Sequence, residues 1–145
     1  MADTTSNSLR VRLVTPERTL FDSTADAVEL PAKNGYMEVL YGHAPLLAEL
    51  GAGDVRVHGG SVSDSGGEQI YNVSWGFVEV LPDRVTILAN DALKPEEIDT
   101  ARAQQQLDRG LQLWKDAGES EEAYDHALHV ISEAEAKLAT AAEKH

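Results

Sequence analysis

Leu9, Val11 and Leu13 alternate with Arg10 and Arg12, a period-2 pattern that predicts a half-buried strand. Further apolar runs follow at Thr19–Phe21, Ala27–Leu30, Tyr36–Leu40, Leu46–Leu50, Val55–Val57, Ile70–Val73, Phe77–Leu81 and Val85–Leu88. Between them stand breaks at Pro16, Pro31–Gly35, Gly51–Gly53, Gly59-Gly60, Ser65-Gly66-Gly67 and Pro82-Asp83. Short strands at close spacing, punctuated by Gly and Pro, predict an all-β sandwich or barrel of about ten strands.

The texture changes near residues 90–94. Pro95-Glu96-Glu97 sets a proline at a first helical position with acids in the first turn. Ile98, Ala101, Leu107, Leu111 and Trp114 then recur at helical spacings. Gly118 and Ser120 read as the end of one helix and the cap of the next. Tyr124, Ala127, Leu128, Ile131, Ala134, Leu138, Ala141 and Ala142 form a second stripe, so the two helices predict an antiparallel hairpin in which abundant Ala allows close approach. The expected fold is α+β: a sandwich over residues 1–92 and an αα-hairpin over 93–145.

The 145 residues allow one domain, or a small domain with an appendage. No cysteine is present, which excludes disulfides and thiolate metal sites. A formal net charge of -13 repels phosphate backbones and anionic lipid, and the chain has no basic patch, so nucleic acid is not an expected partner. No run approaches the ~20 apolar residues of a membrane span. Met1–Ser8 are small and polar and do not read as a signal or transit peptide.

The segment Gly35-Tyr36-Met37-Glu38-Val39-Leu40-Tyr41-Gly42-His43-Ala44-Pro45-Leu46-Leu47 reads physically as strand, corner and strand. It resembles the signature segment of the epsilon subunit of F-type ATP synthases. Three other pieces are similar to that family in the same order. They are Leu13–Arg18 with Phe21-Asp22, Trp75–Val80 with Val85–Ala89, and Ile98–Ala103 as an Ile/Leu-Asp-x-x-Arg-Ala motif. The resemblance implies a non-catalytic central-stalk subunit of a proton-translocating ATP synthase. It implies a sandwich docked on the gamma subunit and the c-ring, a catalytic head of alpha and beta subunits, and a peripheral place on the cytoplasmic face of a bacterial membrane. Ring-facing residues carried over from the family are Lys33, Asn34, Gly35 and Tyr36, with Gly42 and His43 shaping an adjacent corner. The hairpin of that family regulates hydrolysis, and in some members it binds ATP, with Ile98, Asp99, Arg102 and Ala103 as the corresponding docking motif here.

This chain departs from the pattern in places. Trp75-Gly76 stands for Gly-Gly, Glu38 for a glycine, Tyr41 for a frequent proline, and Tyr36 for an acid or polar group. ATP-binding members carry Glu where this chain has Leu93, and Arg on the second helix, where this chain has only Lys137 and Lys144. Triphosphate binding without arginine forks or a glycine cradle lacks its usual donors, so no cofactor is expected. From Lys94 onward six Lys/Arg face twelve Asp/Glu, which opposes insertion of the hairpin against an acidic loop of the head.

Other constellations have ordinary readings. His43 without a partner nucleophile braces its corner rather than catalysing. His126, His129 and Glu133 lie near one helical face, as metal ligands could, but as edge residues they suit a solvated surface. Asp99 and Arg102 are spaced for a surface ion pair, or Arg102 anchors hairpin to sandwich or contacts phosphate. Trp114 suits a hairpin contact, and the glycines at 59–60 and 66–67 lack the Lys-Ser/Thr of a phosphate loop. Outside the family reading, the same texture fits a β-sandwich adaptor with a helical arm, or a small ATP sensor.

Overall fold

The computed structural model describes residues 8–60 and 67–143. The sequence readings at Met1–Asn7, Ser65-Gly66 and Lys144 lie outside the described residues. The chain divides into two compact units, Met1–Leu93 and Lys94–His145.

Seven strands build the first unit: β1 Leu9–Val14, β2 Thr19–Ala25, β3 Ala27–Ala32, β4 Gly35–Leu40, β5 Leu46–His58, β6 Glu68–Leu81 and β7 Arg84–Leu93. They form one hydrogen-bonded sheet in the order β2-β1-β7-β6-β5-β3-β4, with β1 and β7 parallel and the other pairs antiparallel. Seven strands replace the expected ten or so because β5 and β6 each join two apolar runs. Gly51–Gly53 and Trp75-Gly76 bend their strands without ending them.

Those bends make a sandwich out of a single sheet. On β6 the inward residues are Tyr71 and Val73 before the bend, and Val78 and Val80 after it. The inward parity thus switches from odd to even at Trp75, while the register of β6 to β5 and β7 runs through the bend without a shift. The backbone turns over at Trp75 itself: its φ is 60°, the only positive φ at a non-glycine among the described residues, and Gly76 follows at 122°. A side chain at Gly76 would run into the Leu88 carbonyl, so glycine is required there twice over, by conformation and by space. Beside β3, β5 makes a matching excursion. The register passes from Glu29↔Arg56 to Ala32↔Leu50, so β5 uses six residues where β3 uses three. Both halves of β5 and β6 therefore face one core of Leu9, Val11, Leu13, Val28, Leu30, Val39, Leu50, Val55, Val57, Val73, Val78, Val80 and Ile87. Phe21 and Tyr71, on strands that are not neighbours in the sheet, meet edge to face at 6.4 Å.

The second unit holds a short 3-10 turn at Pro95–Glu97, then α1 Thr100–Asp116 and α2 Glu121–Ala142. Pro95 opens a helical turn as expected, with Glu96 and Glu97 in it, but the turn is 3-10 and does not continue into α1. The Glu97 carboxylate accepts from the Lys94 N–H at 2.8 Å, Ile98 is extended, and α1 begins after an Asp99 cap. At the other junction Gly118 takes φ 59°, and the Ser120 hydroxyl caps α2 by accepting from the Ala123 N–H at 3.2 Å. The buried line is Ala103 and Gly110 on α1 and Ala117 at its C-cap, at seven-residue spacing, facing Ala127 and Ala134 on α2. A Cβ at Gly110 would stand 2.7 Å from Ile131 Cγ1, so the helices are as close there as their backbones allow. The bulky stripe expected at the interface is displaced to its flank. Leu111, Trp114, Tyr124 and Leu128 are all exposed, because the small residues win the contact.

Candidate functional site

The residues expected to face a partner fall into two groups, and the structure does not bring them together. Lys33 and Asn34 form the tight turn between β3 and β4, with Gly35 at φ 136°. The Lys33 N–H donates to the Glu49 carbonyl at 2.9 Å, and its Nζ lies 3.0 Å from Glu49 Oε2. Gly42 and His43 lie beyond the opposite end of β4. The six extended residues of β4 hold the two groups roughly 15–20 Å apart along the strand.

Each group has its own architecture. Tyr36 is 60% exposed, yet its hydroxyl accepts from the Asp54 N–H at 2.9 Å. That amide belongs to the β5 segment shifted out of register with β3, so the phenol satisfies a donor inside the bulge. A Cβ at Gly53 would collide with the same hydroxyl, so Gly53 leaves the space that Tyr36 occupies. At the other end Gly42 turns at φ 91° and donates its N–H to the Pro82 carbonyl at 2.6 Å, tying the corner to the β6–β7 turn. The His43 N–H donates to the Leu40 carbonyl, and its Nδ1 donates to the Ala44 carbonyl at 2.7 Å.

Sequence reading missed a third surface. On the outward face of β5, β6 and β7 the register aligns Glu49, Phe77, Leu88 and Val14 in one row, with Leu47, Glu79, Thr86 and Arg12 in the next. Leu47 is 71% exposed, and Phe77 and Leu88 are 51% exposed. Charged neighbours surround them, including Arg10, whose guanidinium holds the Asp22 carboxylate at 2.7 Å. Parity was the available signal, since Phe77 shares the phase of Glu79, and Leu88 that of Thr86, opposite to Val78, Val80, Val85 and Ile87.

In the hairpin the motif Ile98-Asp99-x-x-Arg102-Ala103 has mostly structural duties. Asp99 accepts from the Arg102 backbone N–H at 3.1 Å as the α1 cap, in place of the side-chain ion pair with Arg102. Ala103 is buried in the helix contact, Ile98 is half-buried, and Arg102 is exposed. A groove at the hairpin tip is lined by Gly118, Glu119, Ser120, Glu121, Tyr124 and Asp125, an acidic setting. His126, His129 and Glu133 do not converge on a metal-holding group among the described residues, and Glu133 accepts from Lys137 Nζ at 3.1 Å. No described helix is long and apolar enough to cross a membrane.

The first unit is thus a bent-sheet sandwich with exposed apolar residues on one face, and the second a helical hairpin packed along small residues. The family described as the ATP synthase delta/epsilon chain β-sandwich domain matches residues 8–95. An ATP synthase epsilon chain of Koribacter versatilis is 42% identical over 118 residues, covering 81% of this chain and 77% of that protein. One from Solibacter usitatus is 39% identical over 144 residues, covering 95% and 98%. The chain belongs to the ATP synthase epsilon chain family. The same fold occurs in a chain of the Euglena gracilis mitochondrial ATP synthase at TM-score 0.74, with 21% identity over 92% of this chain and 81% of that one. It occurs again in the central stalk and c-ring structure from Tetrahymena thermophila mitochondria, at TM-score 0.64 and 15% identity, covering 92% and 96%.

Proposed function

We propose that this protein is a non-catalytic central-stalk subunit of an F-type ATP synthase, transmitting proton-driven rotation of the c-ring to the catalytic head. The observation that carries the reading is the exposed Leu47, Phe77 and Leu88 group on a charged sheet face, in a chain of the epsilon family. An apolar group of that kind is the anchor of a protein interface, and the gamma subunit is its proposed partner. The Lys33–Tyr36 turn is proposed to face the c-ring, with Tyr36 held in place by Asp54. Gly42 and His43 set the corner from which Leu46 and Leu47 enter β5. The proposed site of action is peripheral, on the cytoplasmic face of a bacterial inner membrane. The acidic groove and the exposed, unsupported Arg102 weigh against ATP as a hairpin ligand.

Tagged protein recovered from a mild-detergent extract of the source membranes tests the reading. Gamma, alpha, beta and c subunits should co-purify, and replacing Tyr36 and His43 by alanine should weaken coupled synthesis. Recovery of the protein alone from cells with an intact synthase would overturn it and leave a free-standing adaptor.

A further inference from the structure

Gly110 and Ala127 draw α1 and α2 so close that larger side chains find no room between them. At about 100° per residue, Trp114 and Leu111 stand about 40° and 100° round from Gly110, and Tyr124 and Leu128 about 60° and 100° round from Ala127, all in one rotational sense. In an antiparallel pair, offsets of the same sense fall on the same side. The four side chains therefore share one face of the hairpin. Gly110 lies against Ile131, so Leu111 comes within a turn of Leu128 along the axes, and Trp114 within a turn of Tyr124. Each of the four is 39–46% exposed. Two aromatic rings and two leucines on one helical face have the composition of an interface anchor.

The rim of this face selects what covers it. The same helical geometry sets Asp108 of α1 and Glu121, Asp125 and Glu135 of α2 along its flanks, all exposed, with Lys115 the one cation there among the described residues. Glu121 and Asp125 also line the groove at the hairpin tip beside Tyr124. A second copy of the hairpin would set acidic rim against acidic rim, and an acidic helix would meet the same repulsion. We propose that this face receives a basic amphipathic helix of a partner protein. The helix lies along the valley between α1 and α2 as the third member of a small bundle. Its apolar stripe covers Trp114 and Leu128, and the stems of its Lys and Arg side chains carry their charges out to the acidic rim. The site is independent of the sheet-face dock, since it uses the second unit alone.

The probe is a fluorescently labelled helical peptide of about 18 residues, with a Leu stripe flanked by Lys and Arg, set against a twin with Glu at each Lys and Arg. Anisotropy on the full chain reads both affinities. The basic peptide should bind at least about tenfold more tightly than its twin at low salt, and the gap should narrow as salt rises. Trp114→Gln with Leu128→Gln should weaken the basic peptide by about tenfold or more with the far-UV circular dichroism unchanged, because both side chains already stand partly in water. Glu121→Gln with Asp125→Asn should narrow the gap between the twins. Phe77→Ser with Leu88→Ser, on the sandwich, should alter neither affinity. Equal affinity of the twins would overturn the proposal. So would undiminished basic binding in the Trp114→Gln, Leu128→Gln variant, which is attraction to net charge alone. Dimerisation of the chain that the same variant abolishes would give the face to a second copy and overturn it as well.

Discussion

In the sandwich the side chains removed from water are Leu9, Leu13, Leu30, Leu50 and Ile87, whereas in the hairpin they are chiefly Ala103, Ala127 and Ala134, packed around Gly110. A buried Leu or Ile contributes ~1.5–3 kcal/mol by leaving water, and an Ala methyl well under half of that. The sandwich is therefore held by area, and the hairpin by backbone proximity. The hairpin's larger apolar groups, Leu111, Trp114, Tyr124 and Leu128, stay in solvent. One unit buries its large apolar side chains, and the other keeps several of its own on the outside.

The sharpest way to break this contrast is to cut the sandwich core. Ile87→Ala should cost about 2–5 kcal/mol in urea unfolding, through lost burial and a cavity the sheet cannot close. Gly76→Ala should cost about 2–3 kcal/mol, because it strains a left-handed residue and presses into the Leu88 carbonyl. The same unfolding curve checks it. Gly110→Leu tests the other half of the comparison. It should part α1 from α2 at a cost of about 1–3 kcal/mol, read as lost amide protection in the hairpin with the β-strand amides unchanged. Ser120→Ala, which removes the α2 cap, should cost about 1 kcal/mol and show as fraying of the first turn of α2 by hydrogen exchange.

Much of this organisation was legible in the sequence. The alternation at Leu9–Leu13 gave a strand with the right inner face, and the Gly118–Ser120 signal placed the helix junction. The glycines in β5 and β6 were harder. A glycine that ends a strand and one that bends it look alike, since the distinction depends on which neighbour the backbone approaches. Trp75 could not be read as a left-handed residue, because side chains rarely adopt that conformation unless the surroundings hold them there. The hairpin stripe misled for a related reason. Periodicity shows which residues share a face, but Gly110 and the alanines select a contact line beside the bulky residues. At the candidate site, Tyr36 and His43 stand out in the sequence, but the strand that separates them is plain only in the fold. The Leu47–Phe77–Leu88 surface needed the register, which the parity of single strands suggests but does not fix.

On the proposed function, the sheet face and not the hairpin supplies the dock to the stalk. Affinity of the full chain for purified gamma subunit, compared with the Phe77→Asp, Leu88→Asp double variant, tests it most directly. The account predicts a loss of at least about a hundredfold, as for removal of a central anchor, with the urea midpoint of the isolated chain nearly unchanged because both side chains are already half in water. Unchanged affinity in a folded double variant would contradict it.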